Sequence, residues 1–245
     1  MSRIFKEEEY AVRRNEILTV ARRLVYTKGY EQMTIQDILD DLRISKGAFY
    51  HYFDSKQDLL ESLTDRMIDE GLSLIEPIVQ DARLSALEKM HTYFSTGAQW
   101  KTAQKDYLLA MMRVWYADDN AIVRQKMFGA MIRRVAPQLT AIIRQGVDEE
   151  VFHMKEPDLA GEVILSMWTS LGDLIVGLVL ARPPEKGALS RLKRIVDGYI
   201  DAMERVLGAA PGSLNLFDPT ILKEWLPPPE GDLETEGAPK EQVAG

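Results

Sequence analysis

The apolar positions of this chain recur at helical spacing almost from end to end, and no segment alternates apolar and polar residues up to an Asn-Gly or Asp-Gly turn. Ile17, Leu18, Ala21, Leu24 and Val25 make one stripe in a first helix over about 10–28, and Gly29 stands where a left-handed terminal residue is wanted. Thr34-Ile35-Gln36-Asp37 then opens a second helix, since a hydroxyl and a carboxylate three residues on satisfy the free amides of a first turn. That helix buries Ile35, Ile38, Leu39 and Leu42 and stops near Arg43. Ser45 caps a third, very short helix reaching Tyr52 or Phe53. Ser55-Lys56-Gln57-Asp58, another capping box, starts a long helix through Leu59, Leu60, Leu63 and Met67, which Pro77 should end or kink.

From about 81 to 207 helix follows helix, with breaks near Ala103, at Asp118-Asp119-Asn120, over 146–157 and at Arg182-Pro183-Pro184; Pro137 should kink one of them. The last two helices, about 157–181 and 188–207, carry broad apolar faces. The predicted fold is all-α, with an N-terminal three-helix helix-turn-helix domain and a C-terminal helical ligand-binding and dimerisation domain. The expected division is 1–56, with the fourth helix from 55 linking the domains, then 57–207, then an acidic Pro/Gly-rich tail over 208–245. That tail should be largely disordered, apart from an amphipathic piece over 219–226 suited to docking on the body.

Composition narrows the function classes. At 245 residues and 46% hydrophobic content, the chain has enough apolar surface for a substantial core. Having no cysteine, it forms no disulfide, thiolate metal site or cysteine nucleophile, which fits a cytoplasmic protein. The N-terminus lacks a signal-peptide core, and the apolar run 171–181 is broken by Asp173 and too short to cross a bilayer, so no membrane association is expected. His91 and His153 lie far apart with no carboxylate at ligand spacing, and no phosphate loop or nucleophile elbow occurs. No metal, no cofactor and no enzymatic activity are therefore expected. Net charge is −8, but residues 208–245 hold two basic and seven acidic groups, and 1–66 hold eleven basic and twelve acidic ones. The first helices are thus near neutral, and weak non-specific DNA binding is expected.

The most informative stretch is Thr34 to Lys56. Two short helices a few residues apart, the second too short to be stable alone, have the shape of a helix-turn-helix. Phe49 and Phe53, four apart, point inward, which turns Lys46, Gly47, Tyr50 and His51 outward. Glycine and Ala48 let backbone approach base edges, Lys46 and His51 offer major-groove donors, and tyrosine hydroxyls suit phosphate oxygens. Lys56 in the first turn of the next helix adds a cation beside free amides, an anion site. A plain three-helix packing unit with exposed aromatics is the competing reading of the same residues.

Residues 13–63 resemble the DNA-binding domain of the tetracycline-repressor (TetR) family, through Arg13-Arg14-Asn15-Glu16-Ile17, Gly29-Tyr30, Thr34, Asp37-Ile38, Ser45-Lys46-Gly47-Ala48-Phe49-Tyr50-His51-Tyr52-Phe53 and Ser55-Lys56. The resemblance implies base or groove contacts from Lys46, Gly47, Ala48 and His51, phosphate contacts from Thr34, Tyr50, Tyr52 and Lys56, and a recognition-helix cap at Ser45. This chain departs from the family at Arg43, where the turn often has glycine. A positive φ there would cost arginine about 1 kcal/mol, although its guanidinium could reach a phosphate.

Beyond residue 63 the likeness is architectural, and it implies a small-molecule site between the helices of the second domain. Trp100, Tyr107, Met111, Trp115, Phe128 and Trp168 are the candidates for an adaptable apolar pocket, with ordinary core packing the alternative for each. Asp173 suits a cationic ligand, a pair across a dimer, or plain solvent exposure. Met167, Leu171, Leu174, Leu178, Ile195, Tyr199 and Met203 are the candidates for a two-fold, four-helix dimer contact, with Gly161, Gly172 and Gly177 permitting close approach. The expected protein is a homodimeric repressor of a palindromic operator on double-stranded DNA, released by a small apolar effector. An activator, a ligand-independent regulator, and an all-helical enzyme or carrier are the alternatives.

Overall fold

The computed structural model describes residues 2–117, 121–181 and 187–226. Among these residues the chain is all-helical, with no strand. The first helix, α1 (Ser2–Lys28), starts eight residues before the predicted Tyr10 and ends at Gly29, whose φ is 80°. In α2 (Ile35–Leu42) the Thr34 hydroxyl accepts from the Asp37 amide at 3.1 Å, and the Asp37 carboxylate accepts from the Thr34 amide at 2.9 Å. The short α3 (Lys46–Tyr50) is capped by Ser45, which accepts from the Ala48 amide at 3.1 Å; the helix stops before Tyr52 because His51 and Tyr52 form a turn. Next, α4 (Lys56–Gln80) begins with Ser55 accepting from the Asp58 amide at 3.0 Å, while the Asp58 carboxylate reaches back to Asp54 rather than to Ser55. Pro77 does not end α4, which runs three residues further.

The remainder comprises α5 (Ala86–Ala103), α6 (Lys105–Trp115), α7 (Ala121–Asp148), α8 (Pro157–Leu180), α9 (Ala188–Leu207) and α10 (Pro219–Trp225). Helix α7 continues through Pro137. The predicted breaks at 118–120 and 182–184 lie outside the described residues. Gly161 gives α7 and α8 their closest approach, since a Cβ there would stand 2.2 Å from Thr140 Oγ1 and 2.4 Å from the Ala136 carbonyl. That corrects its reading as a dimer-facing glycine; Gly172 and Gly177 do have open space around them.

Burial gathers into two main cores. One joins the three N-terminal helices and α4 to one face of α6: Ile17, Leu18, Ile38, Phe49, Phe53 and Leu60 share it with Tyr107, Met111, Val114 and Trp115. The other packs α5, α7, α8 and α9 around Met90, Phe94, Leu139, Ile143 and Ile164. The N-terminal helices thus share a core with part of the second domain. Arg22 on α1 strengthens that junction, donating to Glu70 at 3.0 Å and to Gln104.

Two expectations need correction. Residues 209–218, expected to be disordered, are ordered, and 219–226 docks as expected, because the chain after α9 has its own anchors. Buried Glu204 accepts from the amides of Gly212 and Leu214, both at 2.9 Å; Leu214 and Leu216 enter the second core, and His91 bonds the Asn215 carbonyl at 2.6 Å. The docked α10 holds on by Trp225, which donates to Thr102 at 3.0 Å. Residues 227–245 lie outside the described part. Secondly, the apolar run predicted to be too short for a bilayer belongs to a 24-residue helix, α8, which contains an 18-residue apolar window of mean hydropathy 1.9 and is long enough by length and composition to cross one. In this fold it packs against α7 and α9, yet only 33% of that apolar window is buried within the chain.

Candidate nucleic-acid interface

The recognition surface forms because one short helix is pinned from below. Phe49 and Phe53 are fully buried and stack at 5.7 Å, so α3 has only one way to lie on α2 and α4. Lys46, Gly47, Tyr50 and His51 are left exposed, with Ala48 and Tyr52 half-buried. Tyr50 is 43% exposed, edge-on to Phe49 at 5.4 Å, and the Lys46 ammonium lies 5.9 Å from its ring centre. Donors, small residues and tyrosine hydroxyls therefore share one surface, the composition that reading base edges and gripping phosphates requires.

The flanking groups are less free. The Thr34 hydroxyl is occupied by its own cap, donating to Asp37 at 3.0 Å while accepting from the Asp37 amide. Lys28 at 2.6 Å and then the Thr34 amide hold the Asp37 carboxyl down to about 2. The Lys56 ammonium lies 4.3 Å from the centre of the Tyr30 ring and donates to the Glu31 carbonyl at 3.3 Å; burial lowers its pKa. Burial, and then Glu31, push the Tyr30 hydroxyl up to about 12. The first turn of α4 is also not an open anion site, since Ser55 takes the Asp58 amide and Asp58 adds a negative charge there. Arg43 sits at φ 53° and ψ 43°, the left-handed region that glycine prefers, and its exposed guanidinium has no bond among the described residues.

Tyr10 was not singled out from sequence, yet it belongs to this surface. Its ring lies 5.6 Å from that of His51 and 4.8 Å from that of Tyr52. The spacing Tyr10, Arg14, Ile17, Ala21 was the available signal, because it continues the buried stripe of α1 two turns towards the N-terminus.

The pocket candidates do not come together. Tyr107, Met111 and Trp115 lie in the core shared with α1, whereas Trp168 stacks between Phe94 at 4.3 Å and Phe217 at 5.8 Å in the other half. Trp100 lies near Gly71 of α4, and Phe128 is half-buried on α7. Helical spacing put Tyr107, Met111 and Trp115 on one face correctly but could not say which neighbour that face meets. A cleft of about 480 Å³ opens between α1 and the α5–α6 turn, lined by Arg22, Arg23, Tyr26, Gln104 and Lys105, and only Tyr107 of the six candidates borders it.

Among the dimer candidates, Leu171, Leu178 and Met203 are buried inside the chain and are corrected to core; Met167, Ile195 and Tyr199 are half-buried, and only Leu174 is exposed. Tyr199 shares a 2.8 Å hydrogen bond with Ser170. The open apolar positions of α8 are Leu159, Val163 and Leu174, of which only Leu174 stood among the dimer candidates. Asp173 is exposed and accepts a hydrogen bond from Tyr116, whose pKa is raised by burial first and then by that carboxylate.

A capped short helix with a buried aromatic underside and a basic, aromatic outer face, crossing a second helix over a tight turn, defines a helix-turn-helix protein. Residues 17–63 match the model for bacterial regulatory proteins of the tetR family, and 112–174 match that for the tetracyclin repressor-like C-terminal domain. The chain thus carries a helix-turn-helix and a C-terminal segment similar to those of the tetR family, and it is a DNA-binding transcriptional regulator. YfiR of Bacillus subtilis, an uncharacterized HTH-type transcriptional regulator, is 22% identical over 205 residues, 82% of this chain and 96% of its own length. The HTH-type transcriptional repressor KstR2 of Mycobacterium tuberculosis is 24% identical over 155 residues, 62% of this chain and 74% of KstR2. The crystal structure of RolR in complex with resorcinol has the same fold, with a TM-score of 0.59 at 15% identity over 90% of this chain and 98% of RolR.

Proposed function

We propose that this regulator is a homodimeric repressor that acts in the cytoplasm, binds a palindromic operator and is released by a small apolar ligand. The observation that carries the reading is the exposed Lys46, Tyr50 and His51 above a fully buried Phe49. In this reading Lys46, Gly47, Ala48 and His51 meet base edges, while Tyr50, Tyr52, Lys56 and Arg43 grip phosphates, Ser45 holds the recognition helix, and Thr34 reaches a phosphate only by giving up its bond to Asp37. The division into 1–56, 57–207 and an acidic tail keeps its functional sense, although the cores interlock at α6.

The dimer part is supported by α8. Leu159, Val163, Ser166, Ser170, Leu174 and Gly177 are all exposed and recur along one face of a helix that is apolar nearly all round. Such a face needs a cover, and a second copy across a two-fold axis provides a self-complementary one. The repressor sign and the small ligand are supported by KstR2's name and by RolR's bound resorcinol. Release requires a ligand that prefers a conformation with the two recognition helices at the wrong separation. Helix α6, whose apolar face is embedded in the core of α1, is the element whose displacement would carry the DNA-side helices with it.

Footprinting on the DNA upstream of the protein's own coding region, across a salt series, tests the reading. The expected result is two symmetric protected half-sites with centres about 34–36 Å apart, or a multiple of that, and affinity falling steeply with salt. Protection without symmetry, or none, refutes it. Sedimentation of Leu174→Glu should show a monomer; an unchanged dimer would move the interface off this face of α8.

A further inference from the structure

We propose that Tyr10, on the N-terminal stretch of α1, is a positioning residue that holds His51 and Tyr52 at the end of the recognition helix in their DNA-reading orientation. The inference rests on the DNA-contact role proposed above for His51. Helix α3 has only five residues, too few to hold its own shape, so its order must come from its surroundings. Ser45 fixes its start and buried Phe49 its middle. Beyond its far end the backbone is held by buried Phe53 and by the His51 and Tyr52 amides, which bond back to Gly47 at 3.1 Å and Phe49 at 2.9 Å, but the exposed His51 side chain has no hydrogen bond among the described residues.

Three rings supply the missing support. Tyr10 meets His51 edge-to-face at 5.6 Å and 80°, His51 meets Tyr52 at 5.0 Å and 76°, and Tyr10 meets Tyr52 at 4.8 Å, closing a triangle. Edge-to-face geometry at this separation is attractive and orients both rings. Tyr10 is 39% exposed and stands outside the buried core, so its contribution to folding is small. Its own place is firm. One turn on, Arg14 bonds the buried Ser62 of α4 and lies 4.9 Å from the Phe53 ring, which ties this level of α1 to the helix behind it. This level of α1 is thus tied to α4, and the ring at position 10 rests against the exposed His51 and the half-buried Tyr52. A side chain held in its bound orientation before DNA arrives loses less freedom on binding, and affinity rises accordingly.

The test uses the full-length protein and a duplex enriched from a random library by the wild type. Binding is titrated for the wild type, Tyr10→Ala, Tyr10→Phe, His51→Ala and the Tyr10→Ala/His51→Ala double variant. Tyr10→Ala should weaken binding about three- to tenfold, the range of one lost aromatic pair, with Tyr10→Phe within about twofold of wild type. In the His51→Ala background the same change should cost less than about twofold, because the group it positions is gone. With only three histidines in the chain, ring-proton resonances are readily resolved, and Tyr10→Ala should shift those of His51 in the free protein while leaving His91 and His153 in place. Losses that multiply independently, or unshifted His51 resonances, overturn the proposal. If the wild type enriches no duplex, or His51→Ala binds as well as wild type, the DNA-contact reading fails and takes the positioning role with it, while the resonance shift still reports separately whether the rings touch.

Discussion

Arg43→Gly should make this protein more stable and a weaker DNA binder. Arg43 closes α2 at φ 53° and ψ 43°, its amide bonded to the Leu39 carbonyl, and the Ile44 amide reaches the same carbonyl at 3.1 Å. Those two bonds require the left-handed backbone, so the conformation belongs to the turn and not to the side chain. An L-residue there is strained by about 1–2 kcal/mol relative to glycine. Glycine's greater freedom in the unfolded chain returns about 0.4–1 kcal/mol. The net gain is about 0.5–1 kcal/mol, a rise of about 1–4 °C in Tm for a chain of this size. A guanidinium that is exposed and has no bond among the described residues is also available to neutralise one phosphate. Its loss should lower the slope of log affinity against log salt by about 0.9. Scanning calorimetry and a salt-series titration read the two effects separately. A lower Tm in the glycine variant would refute the backbone argument; an unchanged salt slope would refute the phosphate contact.

The helix-turn-helix should also show a defined acid limb. Asp37 is held at about 2 by Lys28 and the Thr34 amide against an ordinary 3.8, so its stabilising effect is present above about pH 4 and fades as pH falls towards 2. Asp37→Asn should flatten urea midpoints over that window, and a limb identical to wild type would show that the cap does not titrate. Gly161→Ala should destabilise by about 1–3 kcal/mol, since its Cβ would stand 2.4 Å from a backbone oxygen of α7; a melting temperature within about 1 °C of wild type would mean that α7 and α8 can part cheaply. Glu204→Ala leaves the Gly212 and Leu214 amides unpaired, at about 1–3 kcal/mol each where buried, and should speed proteolysis within 209–226. Cleavage at the wild-type rate would mean that the segment is held without the carboxylate.

What the sequence determined by itself was local. The cap at Thr34, the serine caps at 45 and 55 and the inward Phe49 and Phe53 involve partners within a few residues, and hydrogen-bond geometry over such a span leaves little choice. The outward set on α3 followed from the inward pair. Which neighbour each apolar face meets was decided only by the tertiary structure. Periodicity tells that Tyr107, Met111 and Trp115 share a face, but apolar attraction has no direction, and the same stripe serves a ligand pocket or, as here, the core of α1. On α8 the pattern could not separate buried Leu171 and Leu178 from exposed Leu174, because the helix is apolar nearly all round and only the placement of α7 and α9 divides its faces. The ordered 208–226 segment depends on Glu204 and His91, one of them more than a hundred residues away, and the Tyr10–His51–Tyr52 triangle joins rings forty residues apart. Contacts over such separations arise from chain closure and packing, which no local pattern records.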